Sequence, residues 1–170
     1  MQVIAKALGK LELSEIRKFS FKRNEISDDE KITDLIEKKK MSNCGKWIYV
    51  FCANNLSELL REFVNIRDDE KDNKGFARAN KKVVKPNCIY VGSSNNLSKR
   101  MAEHFGAARF GKTKISASTY AIRFKEWLPE GETVTCFYFE VKTQSQSVLQ
   151  ALEDGIWNNL KPITGKKGGK

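Results

Sequence analysis

The sequence predicts an α+β fold, because strand-like and helix-like patterns alternate along its 170 residues. Three short runs rich in β-branched and aromatic residues are typical of buried strands, at residues 47–51, 88–91 and 133–141. Around them lie segments in which apolar residues recur every three or four positions, the period of an amphipathic α-helix. The length fits one domain of ordinary size.

The first predicted helix covers about residues 28–41. The segment Ser27-Asp-Asp-Glu30 has the pattern of a capping box, and the lysines at 38–40 suit the negative end of the helix dipole. Ser42-Asn-Cys-Gly45 ends this helical pattern, so the first core strand is expected over 47–51.

A second amphipathic helix is predicted to begin at Asn55. Its apolar positions are Leu56, Leu59, Leu60, Phe63 and Val64. The polar, basic and aperiodic segment from about 67 to 87 is interpreted as a mobile or partner-ordered loop. The strand over 88–91 follows and ends at Gly92.

A third helix is expected to begin at Asn95 or Asn96 and to run to about residue 109. The segment 120–127 favours a helix over a strand, and residues 133–141 form the clearest strand pattern of the chain. A final helix is predicted from Ser145 or Ser147 to about Asn159, before Pro162.

The net charge of +10 favours a polyanionic partner. Between Lys71 and Arg100 there are eight basic residues against one acidic residue, Asp72, so a single basic face is expected. The sequence has no apolar run of membrane-spanning length and no secretory signal pattern, so we expect a cytoplasmic protein without a membrane partner.

Glu153 is a charged residue on the apolar face of the final helix. At ~100° per residue it falls inside the arc that Leu149, Ile156 and Leu160 define. A buried carboxylate needs a cation, a metal ion or a raised pKa. The alternative is a structural glutamate that reaches solvent or pairs with an arginine.

Arg100 and His104 form a similar exception on the third helix. They are four residues apart, hence neighbours, and His104 lies within the arc of Leu97, Met101 and Phe105. Their pairing disfavours an imidazolium unless an anion lies between them, and a phosphate would satisfy both. The alternative is a structural core histidine beside an arginine that extends to solvent.

Two tyrosines are singled out by strand alternation. Tyr49 is expected to point away from its neighbours Ile48 and Val50, and Tyr90 away from Ile89 and Val91. Each can therefore share a face with polar partners, although a core aromatic with a hydrogen-bonded hydroxyl explains either one alone.

The order and spacing of these residues resemble the GIY-YIG nuclease superfamily. The resemblance rests on Trp47-Ile-Tyr49, on Tyr90-Val-Gly92, on Glu153 nine residues before Pro162, and above all on the pattern Y-V-G-x-x-x-N-L-x-x-R-x-x-x-H from Tyr90 to His104. It covers roughly residues 46–165.

The resemblance implies a small three-stranded antiparallel sheet flanked by helices. Residues 1–45 would be an N-terminal helical extension, 46–165 the nuclease domain with an insertion over 53–86, and 166–170 a basic tail. Glu153 would be the sole protein ligand of one Mg or Mn ion per active site, without an organic cofactor, and Arg100 would neutralise the scissile phosphate. Tyr49, Tyr90 or His104 would orient or deprotonate the attacking water.

Three positions depart from the family pattern. Trp47 stands in place of the first glycine, Ser93 in place of a lysine found in some members, and Gly165 in place of a frequent asparagine. The serine would shift the role of proton acceptor to His104, and the glycine would weaken the support of the site.

The insertion predicts a nucleic-acid interface, with a solvated loop as the alternative. The residues assigned to nucleic-acid contact are Arg78, Lys81, Lys82, Lys85, Ser93 and Lys99. The preferred function is sequence-specific double-strand cleavage of duplex DNA, of the restriction type, by a homodimer that places one site on each strand. The alternatives are a structure-specific, phage or mobile-element nicking nuclease, an RNA nuclease, and a non-catalytic nucleic-acid-binding module.

Overall fold

Four strands form one antiparallel sheet in the order β1-β6-β2-β3. The computed structural model describes residues 14–69, 76–80, 87–116, 120–143 and 145–167. The strands of the sheet are β1 (Arg17–Phe21), β2 (Trp47–Cys52), β3 (Cys88–Ser94) and β6 (Val134–Glu140). Two further strands, β4 (Arg109–Phe110) and β5 (Thr113–Lys114), pair as a separate short hairpin.

Five α-helices and one 3-10 turn accompany the sheet in the described ranges. The helices are α1 (Asp29–Lys38), α2 (Leu56–Asp69), α3 (Leu97–Phe105), α4 (Phe124–Trp127) and α5 (Gln146–Leu160), and the turn spans Arg23–Ile26. All five predicted helices are present, with shifted ends. The third ends at Phe105 instead of near 109, because Gly106 adopts a left-handed φ of 92° and caps it.

The α+β class is confirmed, but the prediction of three strands is wrong. The N-terminal segment, predicted to be helical, also contributes β1, which pairs with β6 from Arg17 opposite Tyr138 to Phe21 opposite Val134. The apolar side chains of Phe19 and Phe21 alternate with polar Lys18 and Ser20, the two-residue period of a strand with one face in the core.

The two faces of the sheet pack against different helices. One face carries the aromatic residues Trp47, Tyr49 and Phe51, which share a core with apolar residues of the first four helices. The other face carries Ile48 and Val50, which pack against α5. The predicted alternation around Tyr49 is therefore confirmed. No helix in the described ranges is long and apolar enough to cross a membrane.

The described part of the segment interpreted as a loop is packed. Phe76 and Ala77 are buried, and the N–H of Ala77 donates to the carbonyl of Ala121 at 2.7 Å. Two further backbone hydrogen bonds join this segment to the C-terminal part of the chain: the N–H of Asn80 donates to the carbonyl of Ile163, and the N–H of Gly165 donates to the carbonyl of Arg78. These five residues therefore pack against the rest of the domain, whereas a mobile or partner-ordered loop was expected.

Candidate active site

Arg100 is the centre of a hydrogen-bonded cluster on the aromatic face of the sheet. Its Nε donates to the hydroxyl of Tyr49 at 3.1 Å, and its Nη1 donates to Oε2 of Glu103 at 2.7 Å. Its Nη2 donates to the hydroxyl of Tyr90 at 3.3 Å and to the carbonyl of Tyr120 at 2.9 Å. These bonds use four of the five N–H groups of the guanidinium and leave one on Nη1 for a further acceptor.

The neighbouring oxygen atoms keep the guanidinium of Arg100 positively charged. Burial opposes the charged form, but the phenol oxygens of Tyr49 and Tyr90 and the carboxylate of Glu103 outweigh it, so the pKa of Arg100 is raised. Its side chain is 18% exposed and that of Glu103 10%. A cation held in this way at a partly open surface is suited to an anionic ligand such as a phosphate.

His104 is neutral and its tautomer is fixed by two hydrogen bonds. The backbone N–H of Ile122 donates to Nδ1 at 3.2 Å, so the ring proton resides on Nε2 and is donated to the Tyr49 hydroxyl at 3.0 Å. Burial, and then the charge of Arg100, hold the pKa of His104 well below its usual value of 6.5. The predicted suppression of the imidazolium is confirmed in direction.

Tyr49 joins Arg100 and His104 but does not reach solvent. Its oxygen accepts hydrogen bonds from both, and the residue is 0% exposed, as is His104. Burial raises the pKa of Tyr49 well above 10.0, although Arg100 acts in the opposite direction. In this conformation neither Tyr49 nor His104 can touch a water outside the protein, and both can act only through Arg100 and the core.

Tyr90 is the half-buried tyrosine of the pair, stacked on Tyr49 with ring centroids 6.2 Å apart. A bulge leaves Ile89 as an extra residue of β3, since Tyr90 lies opposite Phe51 and Cys88 opposite Cys52. Ile89 and Tyr90 consequently contact the same core. The predicted alternation therefore fails between Ile89 and Tyr90, but it holds between Tyr90 and Val91, which packs on the other face of the sheet.

Two glycines make room for the tyrosine rings. A Cβ on Gly92 would lie 2.5 Å from the Tyr49 hydroxyl, and a Cβ on Gly165 would lie 2.8 Å from Cε2 of Tyr90. Gly165 also has a φ of 86° and donates its N–H to the carbonyl of Arg78 at 2.6 Å. The departure at Gly165 therefore has a packing reason, because the Tyr90 ring occupies the space of any side chain there.

Glu153 lies on the opposite face of the sheet from the arginine cluster, across the edge strand β3. Its Oε2 accepts a 2.5 Å hydrogen bond from the hydroxyl of Ser93. Burial and the neighbouring charge of Asp154 raise the pKa of Glu153, while the hydrogen bond from Ser93 and the charge of Arg100 lower it. Within the described ranges no lysine or arginine forms an ion pair with it, which argues against the structural alternative of an arginine-paired glutamate.

The donor set at Glu153 fits a hard divalent cation held by one carboxylate. The described residues contain no cluster of three or more acidic, histidine or cysteine side chains that could hold a metal ion together. Mg ions characteristically keep several waters and take one or two carboxylates together with phosphate oxygens. A half-buried carboxylate that forms no ion pair within the described ranges, near a buried arginine, matches that requirement.

The residues assigned to nucleic-acid contact have different surroundings. The side chains of Arg78 and Lys99 are exposed, and Arg78 belongs to the packed segment beside Gly165 and Tyr90. Ser93 instead donates its hydroxyl to Glu153. Lys81, Lys82 and Lys85 lie outside the described residues.

Sequence reasoning missed Glu103 as a member of the site. It lies three residues after Arg100 on α3, a spacing that places the two side chains side by side on a helix, and this spacing was the available signal. The carbonyl of Tyr120 was also missed, since a backbone acceptor leaves no mark in the sequence.

Comparison with known proteins assigns the family. The GIY-YIG catalytic domain matches residues 76–167, more than half of the chain, and this range contains Tyr90, Arg100, His104 and Glu153 but not Tyr49. No curated protein and no solved structure matches the chain. A GIY-YIG catalytic domain marks a nuclease of the endonuclease kind. The chain belongs to the GIY-YIG family.

Proposed function

We propose that the protein is a Mg-dependent endonuclease that cuts duplex DNA at specific sequences, in the manner of a restriction enzyme. The observation that carries the proposal is the partly exposed guanidinium of Arg100, held by two tyrosines and Glu103. Across β3 lies a carboxylate, Glu153, that forms no ion pair with any described residue. Cleavage of a phosphodiester needs a cation for the charge that develops on the phosphate, and Arg100 is fixed for that task.

The roles of the other residues follow from their exposure. Tyr90 is the half-buried tyrosine, so its phenol oxygen is the group we assign to orient the attacking water. Tyr49 and His104 are positioning residues, because both are fully buried and spend their hydrogen bonds on each other, on Arg100 and on the backbone of Ile122.

Glu153 is the residue that would hold the metal ion, with Ser93 orienting its carboxylate. When bound, a Mg or Mn ion supplies a Lewis acid for the leaving oxygen. The hydroxyl of Ser93 fixes one carboxylate oxygen, so the other is the one available to a cation.

Duplex DNA is the proposed partner, contacted by Arg78, Lys99 and the basic residues beside them. One site cuts one strand, so cleavage of both strands at a symmetric sequence calls for a homodimer. The cytoplasm is the expected location for an enzyme with this target. Nicking of DNA by structure, cleavage of RNA and binding without cleavage are the rival functions.

The test is cleavage of supercoiled plasmid by the purified protein, with Mg and with EDTA, beside Glu153→Gln. The substitution removes the charge and keeps the size of the side chain, so we expect cleavage to fall by about 100-fold or more while DNA affinity and fold are kept. Glu130→Gln removes the same charge from an exposed residue before β6 and should cut normally.

Each outcome selects among the functions. Cuts at fixed short sites support the restriction type, and scattered or junction-directed nicks support the structure-specific rival. A wild type that cuts RNA alone refutes the DNA proposal. A wild type that binds DNA equally in Mg and EDTA and cuts neither nucleic acid refutes the nuclease.

A further inference from the structure

Tyr120 is the most exposed large hydrophobic residue of the described ranges. The residue is 71% exposed, whereas the next of these residues, Val148, is 37% exposed. No hydrogen bond or aromatic contact of the ring exists within those ranges. An aromatic ring that the fold does not use is available to a ligand.

The backbone around Tyr120 is fixed by the active site. Its carbonyl accepts a hydrogen bond from Nη2 of Arg100 at 2.9 Å, and the N–H of Ile122, two residues later, donates to Nδ1 of His104 at 3.2 Å. Between them, Ala121 pairs with the segment that begins at Phe76. The exposed ring is therefore carried on a support whose position is set by Arg100 and His104.

The side chain is not needed for these bonds, because a carbonyl and an N–H are present whatever residue stands at position 120. A residue with a small or polar side chain would hold Arg100 equally well and would expose no apolar surface. Nucleobases stack on exposed aromatic rings, and this stacking tolerates any base because every base has a π-face.

We propose that Tyr120 stacks on a nucleobase that is turned out of the duplex, and so positions the nucleotide next to the phosphate that Arg100 contacts. This inference rests on the proposed function for its substrate class, a nucleic acid. Arg100 donates a hydrogen bond to the carbonyl of Tyr120. The base that stacks on Tyr120 should therefore belong to the nucleotide that carries the phosphate contacted by Arg100, or to its neighbour. Tyr120 is a positioning residue and takes no part in the chemical step.

The test compares two strands that differ only in their bases. One is a fluorescently labelled oligothymidylate, and the other is a strand of the same length built from abasic sugar-phosphate units. Binding is measured by anisotropy in EDTA, so no cleavage is required. We expect Tyr120→Ala to bind the oligothymidylate about 10-fold more weakly and the abasic strand unchanged, because only the first offers a base to stack on. Tyr120→Phe should retain wild-type affinity for both.

Val148→Ala is the matched control, since it removes the other large hydrophobic side chain that is exposed in the described ranges, and it should bind both strands like the wild type. Circular dichroism checks that each variant is folded. Equal affinity of the wild type for the two strands overturns the inference, and so does an equal loss on both in Tyr120→Ala. A Tyr120→Ala protein that loses only self-association would place the ring in a protein interface and would overturn it as well.

The plasmid assay and the binding assay distinguish a failure of the proposed cleavage from a failure of the proposed stacking. If plasmid stays intact with wild type and Mg while the base-dependent loss appears in Tyr120→Ala, the stacking role stands without the cleavage. If plasmid is cut and the two strands bind alike, the nuclease stands without the stacking.

Discussion

At the scale of single residues, His104 is connected to the surface of the site only through its neighbours. Its two ring nitrogens are occupied by the backbone of Ile122 and by Tyr49, and the ring is fully buried. A base that acts on a water molecule needs a free nitrogen within hydrogen-bond reach of that water. His104 therefore serves the site by holding Tyr49, and through it Arg100.

The buried neutral state of His104 predicts a pH-dependent stability. The pKa is depressed in the folded protein, so this contribution is fully present above pH 6.5 and is lost as the pH falls from 6.5 towards the folded value. At pH 5.5 the loss is about 1.4 kcal/mol, as long as the folded ring stays neutral. Urea unfolding of wild type and His104→Gln at pH 8.0, 6.5 and 5.5 measures it.

His104→Gln is chosen because an amide can accept from Ile122 and donate to Tyr49 but does not titrate. Its free energy of unfolding should decline less than that of the wild type between pH 6.5 and 5.5. Parallel curves for the two proteins would refute the assignment of a neutral, buried imidazole.

Gly165 predicts a second effect at this scale. Any side chain meets Cε2 of Tyr90 at 2.8 Å and must adopt a φ of 86°, so Gly165→Ala should cost about 1–3 kcal/mol and displace the Tyr90 ring. Chemical unfolding measures the loss of stability. Plasmid cleavage reports the displacement of the Tyr90 ring, and the cleavage rate should fall. Gly155→Ala is the control, because nothing lies within 4 Å of its Cβ and a helix gains up to about 1 kcal/mol from alanine. Identical behaviour of the two variants would remove the packing account of Gly165.

At the scale of secondary-structure elements, β1 is part of the core although it lies outside the range matched to the family. Phe21 is 1% exposed, and its ring centroid lies 4.9 Å from that of Phe105 on α3 and 5.3 Å from that of Phe124 on α4. The strand therefore connects the edge of the sheet to the helix that carries Arg100 and His104.

Phe21→Ala should destabilise the protein by about 3–5 kcal/mol, because it leaves a cavity among aromatic rings that cannot close over it. Urea unfolding measures the change. Phe137→Ala, on the adjacent strand β6 and only half-buried, removes the same atoms and should cost less. If the two cost the same, β1 does not pack as described.

The patterns that revealed β2, β3, β6 and the helices are local, whereas that of β1 is not. Its five residues have two apolar side chains between basic and polar ones, and the strand that it pairs with lies more than a hundred residues away. The candidate site likewise has features that a local sequence pattern reveals and features that it does not. The spacing from Tyr90 to His104 predicted residues that the structure brings together. The tautomer of His104, the hydrogen bond from Ser93 to Glu153 and the bulge at Ile89 depend on tertiary contacts and strand register, which a local pattern does not contain.

At the scale of the whole molecule, a charge of +10 predicts salt-dependent binding without saying where the nucleic acid lies. Arg78 is exposed, and its carbonyl accepts a hydrogen bond from the N–H of Gly165, which packs against Tyr90. We therefore expect the nucleic acid to bind on this side of the molecule. Lys81 and Lys82 follow in the sequence but lie outside the described residues, and only their closeness along the chain associates them with it.

Substitution of Arg78, Lys81 and Lys82 together by alanine tests this face. Each lost phosphate contact should reduce the slope of log affinity against log salt by about 0.9, so the triple variant should lose up to about 2.7 from the slope and bind duplex DNA more weakly. The control replaces the exposed Lys18, Lys22 and Lys38, which removes the same charge from the N-terminal part of the chain. Long-range attraction falls equally in both variants, whereas counterion release falls only where phosphates are in contact. Equal slopes for the two variants would mean that the DNA does not lie along residues 78–82, and the basic segment would then be a solvated part of the surface.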